Sequence, residues 1–207
     1  MKSLALFLVL GAAFCDQTQG TQKPDWADET KFGSYQDAWK SISQDQSKRY
    51  YLAKATTQND SVWGDGFTCV SVTGVKIQSE DNKINATILY KNTKEPQLQT
   101  SHETVSTMKL YNYSNKDNGI KYETQGAEKQ TFSDAFVFSD YKDCDVIFVP
   151  ESEGSKTGDY ELWVSEDKIE DIPSCCKFLI AYLASLQGKT VRDVYTNSSC
   201  KPSAAQK

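Results

Sequence analysis

The chain has 207 residues, with 28 acidic against 23 basic side chains, a net charge of −5 and a single histidine. That balance argues against nucleic acid and anionic membrane as partners and mildly favours a cationic one. One histidine excludes a histidine-rich metal site, and any Ser-His-Asp constellation would have to be built around His102.

Taken in chain order, Lys2 is followed by an apolar run from Leu4 to Phe14 with small residues at Gly11 to Ala13. Residues 1–15 read as a secretory signal peptide, with cleavage after Cys15 or as late as Gly20. The run is too short to span a bilayer, and no later stretch approaches spanning length. Residues 21–207 are then expected to be one secreted domain with no membrane partner. Loss of Lys2 leaves 22 basic against 28 acidic residues, since one of the 23 goes with the signal.

"SYQDAWKSI" (34–42) places Tyr35, Ala38, Trp39 and Ile42 at helical spacing. Extended, β-branched or aromatic runs follow at 49–57, 66–75, 83–91, 102–113, 119–125, 131–139, 144–149 and 159–165, separated by Asn, Asp, Gly and Lys clusters. Pro173 opens a second helix running to Leu186, with Phe178, Leu179, Tyr182 and Leu186 on one side and Gly188 as its stop. The predicted class is all-β: an eight-stranded antiparallel up-and-down barrel with flanking N-terminal and C-terminal helices, able to enclose one small ligand. A two-sheet sandwich is the competing reading.

With Cys15 lost in the signal, Cys69, Cys144, Cys175, Cys176 and Cys200 remain. Adjacent Cys175 and Cys176 are poor partners for each other, so two internal bridges and one spare thiol are expected in an oxidising compartment. Asn59, Asn85, Asn112 and Asn197 each begin an Asn-x-Ser/Thr sequon.

Catalytic patterns are scarce. No G-x-S-x-G accompanies His102, there is no P-loop or dinucleotide glycine pattern, and the cysteines lack zinc spacing. The expectation is a binding protein, not an enzyme, with no cofactor and no metal. What recurs is a carboxylate beside an aromatic. In "TFSDAFVFSD" (131–140) strand alternation puts Asp134 on one face with Phe132, Phe136 and Phe138. In "GDYELWV" Glu161 shares a face with Trp163, and in "NDSVWG" Asp60 and Trp63 lie within one turn. Each pair alone suits an acid at a wet barrel rim. Three together point to a cavity that holds carboxylates and rings, which selects a small organic cation through ion pairing and cation–π attraction. Binding through such acids would fade around pH 4–5, where ordinary carboxylates protonate.

"DAWKSI", "YYLAKATTQNDSVWG", "FTCV", "CDVIFVP" and "YELWV" resemble the tick salivary lipocalins, specifically the histamine-binding proteins, from "KPDWADE" at residue 23 to "RDVYTNSSC" at 192–200. The resemblance implies an eight-stranded calyx that sequesters host histamine at two sites in one barrel. It implies ligand contacts from Ser41, Asp45, Asp60, Trp63, Glu103, Tyr122, Phe132, Asp134, Asp145, Glu161 and Trp163. Asp60, Trp63, Glu103, Phe132 and Asp134 fall mostly to one site and the rest to the other. Where the pattern calls for aromatics this chain has Thr57 and Ile120, which opens the way to another amine such as serotonin. The bridges implied are Cys69–Cys200 and Cys144–Cys176. Cys175 is then free to join a second copy in a disulfide-linked homodimer, or to stay buried or capped. Rival functions are a carrier of a lipid mediator and an inhibitor of a host protein acting through the outer surface.

Overall fold

The computed structural model describes residues 23–44, 47–125 and 129–202. The expected signal segment and Asp45 lie outside them. Two short helices come first, α1 (Glu29–Phe32) and α2 (Ala38–Ile42). The strands are β1 (Tyr50–Ala55), β2 (Asn59–Asp60), β3 (Gly64–Asp65), β4 (Thr68–Lys76), β5 (Lys83–Lys91) and β6 (Gln99–Met108). They continue with β7 (Gly119–Thr124), β8 (Thr131–Ser139), β9 (Cys144–Pro150) and β10 (Gly158–Ser165), then helix α3 (Ser174–Leu186) and β11 (Arg192–Asp193).

Strands β1 and β4 to β10 pair antiparallel in sequence order, and β10 returns to β1, from Tyr50 opposite Ser165 to Ala55 opposite Glu161. That return closes the sheet, so the architecture is a barrel and not a sandwich. Strand β1 pairs with β4 only at Tyr50 and Tyr51; further along, its free edge is taken by β11, with Lys54 opposite Asp193 and Ala55 opposite Arg192. The segment 56–67 between β1 and β4 forms a loop with its own hairpin, β2 against β3.

Alternation sorts each strand between two environments. On β9, Asp145, Ile147 and Val149 line the interior, while Cys144, Val146 and Phe148 join an apolar cluster with Leu162, Val164, Ile180 and Leu183 that seats α3 on the outer wall. Helix α3 buries Cys176, Ile180, Leu183 and Ala184. The apolar side picked out in the sequence is mostly the outward one: Phe178, Tyr182 and Leu186 are 68%, 50% and 66% exposed. The helix is apolar on two sides, and the Cys144–Cys176 bridge decides which turns inward. Gly188 ends it in a left-handed conformation (φ 66°), as anticipated.

Three other expectations are corrected. The N-terminal helix is broken, because Asp37 caps α2 through a 2.9 Å hydrogen bond from the Lys40 amide; Tyr35 stays outside it, stacked on Phe138. Strand β6 stops at Met108, since Tyr111 and Asn112 take left-handed backbone angles that no strand can carry. In β8 a bulge between Phe136 and Phe138 sets Val137 and Phe138 on the outer side with Val146, so Phe138 leaves the stripe that holds Asp134.

Cys69 is bonded to Cys200 and Cys144 to Cys176, leaving Cys175 as an exposed free thiol. All four sequon asparagines are exposed, including Asn59, whose neighbour Asp60 lines the interior. Among the described residues no helix is long and apolar enough to cross a membrane.

Candidate functional site

The barrel encloses a cavity of about 170 Å³. Its lining includes five carboxylates delivered by separate elements: Asp60 from the 56–67 loop, Glu103 from β6, Asp134 from β8, Asp145 from β9 and Glu161 from β10. Among the described residues none of the five takes part in a salt bridge. Lys48 also lines the cavity, but its ammonium is held by Asp167 at 2.8 Å.

Four of the five acids, all but Glu103, are supported by local donors. Asp60 Oδ1 accepts the backbone N–H groups of Val62 and Trp63, both at 2.7 Å, which fixes the loop turn that brings Trp63 inward. Trp163 Nε1 donates to Glu161 Oε2 at 2.9 Å. The Tyr122 hydroxyl bonds to Asp134. Asp145 accepts from Ser41 Oγ at 2.9 Å and also bonds the Ser139 hydroxyl.

Burial dominates the electrostatics. It pushes Glu161 up to about 8, Glu103 and Asp134 to about 7 and Asp145 to about 6. Mutual repulsion adds to it: Asp134 and Asp60 raise Glu161, Asp60 and Asp134 raise Glu103, and Asp60 raises Asp134. The hydrogen bonds from Trp163, Tyr122, Ser41 and Ser139 pull the other way and do not win. A cavity so built favours a cation, which gives the ionised acids their missing partner.

Of the residues singled out from the sequence, Ser41, Asp60, Trp63, Glu103, Tyr122, Asp134, Asp145, Glu161 and Trp163 line the cavity. Phe132 does not; it stacks on Tyr122 at 5.3 Å and backs that ring. The geometry also regroups the set. Asp60, Glu103, Tyr122, Asp134 and Glu161 interact with one another, and Trp63 meets Trp163 edge-on at 6.2 Å. Ser41 and Asp145 pair apart from them, where α2 meets the barrel. Glu161 and Tyr122 therefore sit with Asp60 and Glu103, not with Ser41 and Asp145, while Trp163, opposite Asp145 in the β9–β10 pair and edge-on to Trp63, stands between the two groups. Ile120 lines the cavity and Thr57 does not. Phe136, placed beside Asp134 by strand alternation, does line the cavity; sequence reasoning missed Tyr50 and Ile147, which inward alternation on β1 and β9 could have found.

Residues 26–202 match the family model for tick histamine binding protein. The chain is 64% identical over 201 residues to the male-specific histamine-binding salivary protein of Rhipicephalus appendiculatus, covering 97% of this chain and 98% of that one. It belongs to the tick histamine-binding protein family. A second family relative, female-specific histamine-binding protein 1 of the same tick, is 37% identical over 97% of each chain. Solved structures place the fold of this family member among lipocalin barrels. Insecticyanin of the tobacco hornworm Manduca sexta superposes with a TM-score of 0.53 at 7% identity, covering 75% of this chain and 81% of its own. Lobster apocrustacyanin A1 does so at 0.51 and 7%, covering 73% and 77%.

Proposed function

We propose that this family member is a secreted scavenger that takes up histamine in the barrel and withholds it from the host. The observation that carries the reading is the cluster of Asp60, Glu103, Asp134 and Glu161 in one small cavity beside Trp63, Trp163 and Tyr122, with no ion pair to any of these acids among the described residues. An ammonium supplies the absent countercharge, and aromatic faces add about 0.5–2 kcal/mol of cation–π attraction each. The names of both tick relatives point to the same ligand. In this reading Ser41, Asp60, Trp63, Glu103, Tyr122, Asp134, Asp145, Glu161 and Trp163 contact the amine, Phe132 supports Tyr122, and the protein binds without catalysing. A lipid mediator fits poorly: the cavity is acidic, and about 170 Å³ falls well below the roughly 300–1,000 Å³ of sites for drug-sized ligands.

Calorimetric titration tests this directly. Histamine's eight heavy atoms, at a ceiling of about −1.5 kcal/mol each, permit a dissociation constant down to about 1 nM. Enthalpy-driven binding is expected, with serotonin as the comparison because Ile120 stands where an aromatic was anticipated. A dissociation constant above about 100 μM for every biogenic amine tried would sink the proposal.

Secretion follows from the signal-like residues 1–15, and it makes the exposed sequons Asn59, Asn85, Asn112 and Asn197 accessible for glycosylation. It also bears on the free Cys175, which shares the outward side of α3 with the exposed Phe178, Tyr182 and Leu186. The proposal includes a Cys175–Cys175 homodimer. Non-reducing electrophoresis should show a band at twice the monomer mass that collapses with reductant and is absent in Cys175→Ser. A monomer band with one titratable thiol per chain would rule the dimer out.

A further inference from the structure

One residue outside the cavity wall, Arg192, reaches the loop that carries Asp60 and Trp63. Strand β11 takes the edge of β1 at the point where this loop departs, and it places Arg192 opposite Ala55. From there the guanidinium reaches both ends of the loop. Its Nε donates to the Thr57 carbonyl at 2.6 Å, and its Nη1 donates to the Phe67 carbonyl at 3.0 Å. The same group lies over the Phe67 ring, 4.3 Å from its centre. Phe67 packs edge-on against Trp63 at 5.3 Å, and Trp63 against Trp163 at 6.2 Å. One planar cation thus ties the first residues of the loop to the last, and passes its position on through rings to the cavity.

We infer that Arg192 is a positioning residue for amine binding: it pins the two ends of the 56–67 loop and so holds Asp60 and Trp63 in place over the acid cluster. A lysine could not do the same. It has one point charge on a flexible stem, whereas the guanidinium presents fixed donors in a plane that can also lie flat on a ring. The site is costly in its own right. Nη2 is buried with no hydrogen-bond partner among the described residues, and burial pulls the guanidinium's pKa down while Glu161 pulls it back up. A partly buried cation beside an amine site would by charge alone repel the ligand. Its presence there is therefore accounted for by the loop contacts and not by electrostatic attraction.

The two roles predict opposite signs, which makes the test decisive. The inference rests on the amine-binding reading, so the experiment has one arm that needs no ligand. Arg192→Lys keeps the charge and breaks the two-ended contact; Arg192→Met removes both. In the full-length mature protein, both should weaken histamine binding by roughly 10- to 100-fold, the scale found when partners that orient metal ligands are removed. The loss should shrink in an Asp60→Asn background, because a loop that no longer offers the acid has less to lose by drifting. Without ligand, the near-ultraviolet circular dichroism of the Trp63–Trp163 pair should diminish in Arg192→Lys, with Trp63→Phe giving the signal of no pairing. Equal or tighter binding by Arg192→Met would overturn the inference and make Arg192 a mere countercharge. Losses fully additive with Asp60→Asn, or an unchanged tryptophan signal in Arg192→Lys, would overturn it too. A parent protein that binds no amine while Arg192→Lys loses the tryptophan signal would sink the ligand and leave the loop-holding role standing.

Discussion

Glu161→Gln should weaken histamine binding by about 1.5–3 kcal/mol, the worth of a charge-assisted hydrogen bond, or roughly 10- to 150-fold. The same substitution should make the empty protein more stable near pH 8. Both effects have one origin. Burial first, then the Asp134 charge, raises the Glu161 carboxyl from 4.5 to about 8, so the fold tolerates the acid better protonated than ionised. Stability from that preference is fully present below about pH 4.5 and is lost as pH rises through about 8. Glutamine is neutral throughout and escapes the loss, yet it offers the amine no charge. Asp134→Asn should behave alike, with its window from 3.8 to about 7. Titration calorimetry and thermal unfolding at pH 5 and pH 8 check the pair of signs. Unchanged affinity in both variants would return these acids to the role of rim polarity.

Affinity for histamine should fall steeply as pH drops from 8 toward 5.5, well above the pH 4–5 expected from ordinary carboxylates. At pH 7 the empty cavity holds Glu161, Glu103 and Asp134 largely or half protonated, with raised values of about 8, about 7 and about 7. A cation must drive those protons off to gain its partners, so binding at pH 7 should release roughly one to two protons. The ammonium stays charged throughout, since an alkylammonium titrates near 10.4 in water. Calorimetry in buffers of different ionisation enthalpy measures the release directly. A binding enthalpy independent of buffer, with flat affinity from pH 8 to 5.5, would contradict a carboxylate cavity that titrates on occupation.

Much of the barrel was legible because its strands are short and separated by turn chemistry. Strands β5 and β8 were placed to the residue. Alternation also brought Glu161 and Trp163 to one face before their 2.9 Å hydrogen bond was seen. Where local pattern meets a tertiary choice, the reading failed. Helix α3 carries apolar side chains on two sides, and periodicity alone cannot say that Ile180 and Leu183 go inward while Phe178 and Tyr182 stay out. The β8 bulge costs one residue of register and turns Phe138 away, with no glycine or proline to announce it. The perturbed acidity of Glu103 comes first from its burial in the closed barrel and then from Asp60 and Asp134, which come from other elements entirely. Arg192, in an ordinary "VRDV", carried no mark of its two carbonyl partners.

The seam between β1 and β10 has a consequence for how the chain folds. The ring shuts only when residues 50–55 meet residues 161–165, so the first barrel strand must wait for the last. Pairings of such sequence separation are slow, on the millisecond-to-second scale typical of β-barrels. The two disulfides then differ in timing. Cys144 and Cys176 are 32 residues apart and need only β9 and α3 to dock, whereas Cys69 and Cys200 are 131 apart and span the entire closure. Oxidation should therefore proceed from the helix to the seam, and the long bridge acts as a latch on a barrel already shut.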